Sequence, residues 1–505
     1  MKNKVQTSMR FIRLFLFVSI CIHLNGFGQS FYKEPYRPQF HFTPAAHWMN
    51  DPNGLIYLNG KYHLFYQYYP EATVWGPMHW GHAVSTDLLH WKHLPIALYP
   101  DQLGWIFSGS AVIDTENTAG FGKNAMVAIY TYHNDEIWQH GDKKPQSQGI
   151  AYSLDEGTTW TKYEQNPVLK HSGEQDFRDP KVFWHKESSK WIMTLATGDR
   201  IKLYSSTNLK NWQFESQFKP EEKEDLGVWE CPDLFQMKDD KTGSSKWVLI
   251  VNHGDKAPNG GSGGRYFVGE FDGKTFVKSQ EPLWLDYGTD FYAAVTFSNL
   301  PNDRHILLGW MSNWQYAVKV PTNVWRSAMT IPREMKLTST NGSYVLNQSI
   351  VSELSSISKP FFEKSSIAYD FNLAYQVQKS QITFDLDETE NQQFQLTFSN
   401  KIGEEFVISF ENSVLKTNRL KSGKVDFSET FATKMQQLHL PNKINNMNLI
   451  IDASSVEILI NDGMYSMTNL FFPTDEYSNF KITKLNNTKI TNLKINTLES
   501  VWNNK

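Results

Sequence analysis

Only 2 of the 505 residues are cysteines, Cys21 and Cys231. Cys21 falls in an N-terminal segment that reads as removable, so one thiol remains and no intramolecular disulfide is expected to brace the fold. Charge of one sign is also lacking. Lys and Arg number 49 against 53 Asp and Glu, a formal net charge of -4, which suggests neither nucleic acid nor an anionic membrane as a partner. Past the N-terminus no long apolar run occurs, so no membrane span is expected. Helical periodicity is almost absent after Pro44. What remains is a chain that must fold by packing strands.

The first residues have the layout of a secretory signal. Lys2, Lys4, Arg10 and Arg13 precede an apolar run from Leu14 to Ile22, and Gly26 and Gly28 follow. A signal peptide over 1–29 is expected, with a soluble mature protein exported to the periplasm or beyond the cell. Ile20 is bulky where a lipoprotein signal wants a small residue, which argues against lipidation of Cys21.

Aromatics are in surplus: 17 Trp, 22 Tyr and 33 Phe make up 14% of the chain. Such a content suits many short strands, and also surfaces that stack on sugar rings. Leu55-Ile-Tyr-Leu58, then Asn59-Gly60, then Tyr62 to Gln67 reads as a hairpin with a tight Asn-Gly turn. A weak repeat links Ser85-Thr-Asp-Leu-Leu-His-Trp91, Ser153-Leu-Asp-Glu-Gly-Thr-Thr-Trp160 and Ser206-Thr-Asn-Leu-Lys-Asn-Trp212. Each is a strand end, a polar turn and a tryptophan. Recurrence at roughly 50 to 70 residues in all-β sequence marks propeller blades, and about 300 residues make roughly five. After Pro332-Arg-Glu334 the composition turns Ser-, Asn- and Lys-rich, yet alternation continues at Ile382–Leu386, Phe406–Phe410 and Val456–Ile460. That pattern reads as a β-sandwich. The expected fold is therefore all-β: a five-bladed β-propeller over 30–337, a linker over 338–350 and a β-sandwich over 351–505 that packs on the propeller.

Three acidic residues stand close before prolines: Asp51 before Pro52, Asp179 before Pro180, and Glu230 two residues before Pro232. A residue before proline is pushed out of the α region, so Asp51 and Asp179 are expected as stiff, extended positions. Asp-Pro and Asn-Gly are also common turn dipeptides, and one such motif alone would carry no function. Three of them in separate aromatic-rich blades, with Arg178 beside one carboxylate, point to chemistry. Two facing carboxylates suffice for glycoside hydrolysis, one attacking the anomeric carbon or activating water, the other protonating the leaving oxygen. Apolar neighbours such as Trp229 could raise the pKa of the acid, and Arg178 could hold the third carboxylate ionised. Calcium sites usually draw several oxygens from one loop, which is not seen here. His79 and His82, like His90 and His93, are three apart and would face opposite sides of a strand, so no metal is expected, and no cofactor.

Together, Trp48-Met-Asn-Asp-Pro-Asn-Gly54, Phe107-Ser-Gly-Ser110, Arg178-Asp-Pro180 and Glu230-Cys-Pro232 resemble glycoside hydrolase family 32, the family of invertases, inulinases and levanases. The resemblance continues through Trp75 to Ala83, Asp286 to Ala293, Gly309 to Trp314, Ile331-Pro-Arg-Glu334 and Asp452 to Glu457 with Asn461-Asp-Gly463. It implies a funnel site with Asp51 as nucleophile, Glu230 as general acid/base and Asp179 as transition-state stabiliser. It also implies that Asn50, Pro52, Asn53, Gln67, Trp75, Phe107, Ser108, Arg178 and Trp314 bind a fructosyl unit. One departure is Tyr68-Tyr69-Pro70, where many members carry Asn-Pro. The function so implied is a retaining hydrolase that releases fructose from levan or inulin, and from sucrose. The alternatives are a sucrose-preferring invertase, an endo-levanase, an inverting pentosidase on a similar propeller, and a fructan-binding protein without catalysis. Oligomeric state is not legible.

Overall fold

In the computed structural model of the protein, the described residues are 32–502 apart from 142–143, 172, 221–224, 341, 388–390 and 442. The expected signal segment 1–29, with Cys21, lies outside them. Among the described residues, strands dominate, and the one α-helix is the single turn Asp135–Gln139.

Five sheets, antiparallel except where Trp325–Arg326 pairs in parallel with the first strand, follow one another along the chain, and their inner strands are His47–Leu58, Trp105–Asp114, Phe177–His185, Trp229–Lys238 and Tyr292–Thr296. Each inner strand packs on the next, and the fifth packs on the first, which closes a ring of blades I to V. The ring is latched by backbone: Tyr57 N–H donates to Ser298 O at 3.0 Å and Ser298 N–H to Leu55 O at 2.8 Å. Radial repetition of this kind leaves each blade only a short outer edge. Apolar clusters fill the gaps between blades, such as Ile129, Phe177, Val182 and Met193 between blades II and III.

The repeated Ser–Trp segments join the third and fourth strands of blades I, II and III. In all three the serine hydroxyl bonds the Asp or Asn two residues on, at 3.0, 2.8 and 3.2 Å. The tryptophan indole N–H then donates back to a carbonyl of the turn: Trp91 to Leu88, Trp160 to Gly157 and Trp212 to Leu209. The repeat is one turn built three times. The Asn59-Gly60 hairpin forms as expected, with Leu58 opposite Lys61 and both turn residues at positive φ, 48° and 84°.

Residues 338–350, expected as a linker, are instead most of a hairpin, Arg333–Thr340 with Ser343–Ile350, which forms the outer strands of blade V. Leu337 and Leu346 face each other in that hairpin, 0% and 1% exposed. The Ser- and Asn-rich composition belongs to its solvent-facing positions. Beyond it, two six-stranded antiparallel sheets enclose a core of Phe384, Phe394, Phe398, Phe406, Leu449 and Ile458, a β-sandwich.

Propeller and sandwich meet over a buried ionic network. Arg333 bonds Asp286 at 3.0 Å and Glu457 at 2.5 Å, with all three side chains at 0% exposure. His41 bridges Asp452 at 2.7 Å and Glu457 at 2.9 Å. Arg419 reaches across to Asp290 at 2.7 Å. Burial would push His41 down, but its two carboxylate partners raise it to about 9, and Arg333 and His41 hold Glu457 at about 2 against its own burial. At Gly463 φ is 76°, and a Cβ there would stand 1.7 Å from the Gln348 carbonyl of blade V. The chain end also returns to the propeller, where Trp502 stacks on Tyr32 at 4.0 Å.

Removing one partner of a buried charge pair costs about 3–5 kcal/mol, so Glu457→Gln should lose about that much in urea unfolding at pH 7. The signs for the wild type follow from linkage. His41 is raised, so its contribution is lost as pH rises toward about 9, and Glu457 is lowered, so its contribution is lost as pH falls toward about 2. An unfolding midpoint for Glu457→Gln equal to wild type would mean that the network carries no stability.

Candidate active site

The funnel side chains are aimed by an irregularity that recurs in every blade. Pairing between the inner and second strands slips between Met49 and Pro52, Ile106 and Gly109, Arg178 and Lys181, Glu230 and Asp233, and Tyr292 and Val295. Such a bulge bends the strand and re-aims its side chains. Asp51 and Asp179 sit inside bulges and Glu230 borders one. Asp179 therefore departs from the extended geometry expected of it: its φ is 64°, in the left-handed region that Asp tolerates better than most residues. Cys231 and Ala293, at the matching bulge positions of blades IV and V, have φ of 44° and 50°.

The three carboxylates converge on one cavity of about 470 Å³. Asp51 accepts hydrogen bonds from Ser108 Oγ at 2.6 Å and Asn50 Nδ2 at 2.9 Å, and Asn50 is held in turn by the Trp48 indole N–H at 2.7 Å. Asp179 accepts the Cys231 backbone N–H at 3.0 Å. The Cys231 thiol lies between the two, 3.6 Å from Asp51 and 3.7 Å from Asp179. Glu230 takes Arg178 Nε at 3.1 Å and Nη2 at 3.0 Å on one oxygen, and the Tyr292 hydroxyl on the other. Asp176 anchors the far side of the guanidinium at 2.6 Å.

Burial, first of all, raises the Asp51 carboxyl, opposed by its bonds from Ser108 and Asn50 and reinforced by the charge of Glu230. Burial also lifts Asp179 to about 7, with Arg178 pulling it down and Glu230 and Asp51 pushing it up. Arg178 stays charged: Glu230, Asp179 and Asp176 hold it well above its ordinary value against the effect of burial. Two expectations change here. Arg178 pairs directly with Glu230 rather than with Asp179. Trp229 turns away from the cavity and packs on Phe218, Phe267 and His253.

Of the expected contact residues, Asn50, Gln67, Trp75, Phe107, Ser108, Arg178 and Trp314 line the cavity with the three carboxylates. Pro52 and Asn53 do not. They follow the bulge, and both are buried in the wall. Asn53 is fully buried and works from behind: with its amide turned to suit both neighbours, it donates to Ser108 Oγ at 3.2 Å and accepts from Gln67 Nε2 at 3.0 Å. The lining also includes Trp105, His133, Asp135, Trp138, Gln139, Gln146 and Asp176, none of which the sequence reading singled out. Trp105 stands two residues before Phe107 in one strand, the spacing of one strand face, which is the signal that could have found it, whereas Asp176 precedes its strand with a φ of 57°. His133 to Gln146 carried no such signal, and neither did Tyr292.

A trio of carboxylates at the buried end of an aromatic-walled funnel is the equipment of glycosidic bond cleavage, and it defines the protein as a glycoside hydrolase. Residues 41–348 match the glycosyl hydrolases family 32 N-terminal domain, and residues 343–497 match the glycosyl hydrolases family 32 C-terminal domain. The chain is 43% identical over 532 residues to a levanase of Bacillus subtilis, an alignment covering 99% of this chain and 76% of that protein. It is 38% identical over 543 residues to an extracellular exo-inulinase of Aspergillus niger, covering 97% of this chain and 100% of the relative. The crystal structure of an exo-inulinase from Aspergillus awamori superposes with a TM-score of 0.85 at 36% identity, covering 93% of this chain and 100% of that one. A β-fructofuranosidase from Schwanniomyces occidentalis, complexed with fructosyl-erythritol, gives 0.81 at 32% identity, with 93% and 98% covered. The chain belongs to glycosyl hydrolase family 32.

Because Asp179 is raised, the unfolded chain gives up this proton first, and stability present below about pH 4 is lost as pH rises toward 7. Asp179→Asn should therefore unfold at higher urea than wild type at pH 8, with the gain vanishing near pH 4. Equal midpoints at pH 8 would show that ionising this carboxyl carries no folding cost.

Proposed function

We propose that the protein is an exported, retaining β-fructosidase that releases fructose from the ends of levan and inulin chains and also from sucrose. The observation that carries this reading is the convergence of Asp51, Asp179 and Glu230 on one cavity in a chain of family 32. In the first step Asp51 attacks the anomeric carbon of the terminal fructosyl unit, and Glu230 gives its proton to the departing oxygen. A covalent fructosyl–Asp51 ester results. In the second step Glu230 takes a proton from water, which attacks the same carbon, frees fructose and restores Asp51. Asp179 holds fructosyl hydroxyls and faces the positive charge that develops on the ring.

The surroundings support these roles. Ser108 and Asn50 fix both oxygens of Asp51, as a nucleophile needs for aim. Arg178 and Tyr292 hold the two oxygens of Glu230. Exposure falls from 40% at Trp75 on the rim to 6% at Asp179, so a chain end can enter where a mid-chain segment would have to bend inward. Relatives named levanase, exo-inulinase and β-fructofuranosidase support the substrate class. Export rests on the N-terminal segment and on relatives named as extracellular. Among the described residues no helix is long and apolar enough to cross a membrane.

Asp51→Ala should be folded but inactive on sucrose, levan and inulin, and appreciable turnover would sink the nucleophile assignment. Glu230→Ala should be slow on natural fructans and partly restored on substrates whose leaving group needs no proton. An equal loss on both would refute the acid role. Early products from levan and inulin should be fructose alone by chromatography, with the anomeric configuration retained by NMR; a ladder of oligosaccharides would mean endo cleavage, and an inverted first anomer would mean single displacement.

A further inference from the structure

The cavity has a second wall that the reaction above does not use, and it comes from blade II. Between the strands Ala125–His133 and Gln146–Ser153 the chain forms the short helix Asp135–Gln139, none of whose residues is buried. This helix carries Trp138, which lines the cavity yet is 43% exposed. A large indole left open beside a cavity fills no core. It continues a row of rings. Trp138 lies 6.2 Å from His133, which stacks on Phe107 at 4.3 Å and approaches Trp105 at 5.7 Å, and Trp105 meets Trp75 at 5.4 Å. The row runs from Phe107, next to the Ser108 that holds Asp51, outward to the rim.

Two polar groups accompany the rings. Gln146 lines the cavity, is 5% exposed, and gives its amide N–H to His133 Nδ1 at 3.3 Å. Among the described residues its amide oxygen has no hydrogen-bond partner. A buried acceptor without a donor is costly, and a sugar hydroxyl is a donor that would satisfy it. Burial lowers His133 to about 4, so the ring is neutral at working pH and accepts the Gln146 amide. The Asp135 carboxylate lines the same wall and can accept further hydroxyls. Aromatic faces beside a few hydroxyl acceptors are the chemistry that recognises a neutral sugar ring.

We propose that this blade II wall is a subsite for the sugar on the leaving-group side of the scissile bond, with Trp138 and Trp105 as stacking faces and Gln146 and Asp135 as hydroxyl acceptors. The assignment rests on the reading of Asp51 and Glu230 given above, because those residues place the attacked terminal fructosyl unit at the buried end. What extends from it toward solvent is then the leaving part of the chain. The ligand is the next unit of a neutral fructo-oligosaccharide. The subsite would favour fructans over any fructoside whose leaving group is not a sugar.

The test compares two substrates, a linear inulin-type oligosaccharide and methyl β-D-fructofuranoside, whose leaving group is methanol. For Trp138→Ala we expect kcat/KM on the oligosaccharide to fall roughly tenfold, the size of one aromatic contact, and to stay within about twofold on the methyl fructoside. Gln146→Leu should show the same split. An equal loss on both substrates, or no loss on either, would overturn the subsite. A wild-type protein that cleaves neither substrate would overturn the reaction itself, a failure visible before any variant is made. Trp138 is exposed, so its removal leaves the fold intact, and the Trp138→Ala result stands even if Gln146→Leu folds poorly.

Discussion

Three carboxylates line one cavity, where little water screens them, and must do so without driving each other apart. Most of the funnel is built around that repulsion. Arg178 lays two N–H groups on Glu230 and is anchored behind by Asp176. Among the described residues no such cation contacts Asp51 or Asp179, which are held by neutral donors: Ser108, Asn50 and the Cys231 backbone. The result is a set of unlike environments for like groups, which lets residues of one chemical type do different work. Burial first, and then the neighbouring carboxylates, raise Asp51 and Asp179, so the site is held against its own electrostatics. The rest of the protein supplies the rigidity that this requires.

That rigidity begins in the blades. The donors and acceptors come from different inner strands, so their relative positions depend on ring closure rather than on any local turn. Bulges at matching places in all five inner strands bring side chains toward the axis, and in three blades the residue so placed has positive φ. The sandwich adds a second clamp. Asp286, Asp290 and Arg333 of the propeller lock into Glu457, Thr468 and Arg419 of the sandwich. Several conspicuous sequence motifs are explained by this clamp rather than by chemistry. Ile331-Pro-Arg-Glu334, Asp286 to Ala293 and Asp452 to Glu457 each contribute a buried charge to the interface. Asp286 to Ala293 does two jobs, since Tyr292 at its end donates to Glu230.

How legible the site was depended on how local its signals were. Asp51, Asp179 and Glu230 stood out because prolines and aromatics crowd around each of them. Trp229 misled: it is adjacent to Glu230 in sequence, but neighbours in a strand face opposite sides, and it points into the blade. Asn53 misled in the same way, one step past a bulge that the sequence does not announce. The strand pair within 338–350 was hidden because most of its polar residues are exposed or partly exposed and its single leucine, Leu346, is too little to signal it. Trp138 and Gln146 were invisible because nothing local links a one-turn helix to a funnel.

Strand periodicity, the thrice-built Ser–Trp turn and the acidic pre-proline motifs are properties of short segments. The sequence by itself therefore determined the all-β class, the blade repeat and the identity of the three carboxylates. Which groups touch was decided only by the tertiary structure: Arg178 on Glu230, Ser108 on Asp51, Cys231 on Asp179, and Arg333 between Asp286 and Glu457. Those pairs join residues 47 to 124 positions apart. Their geometry follows from bulges, ring closure and the docking of two domains. Each of these is a sum of many long-range contacts, and none has a signature within reach of a single motif.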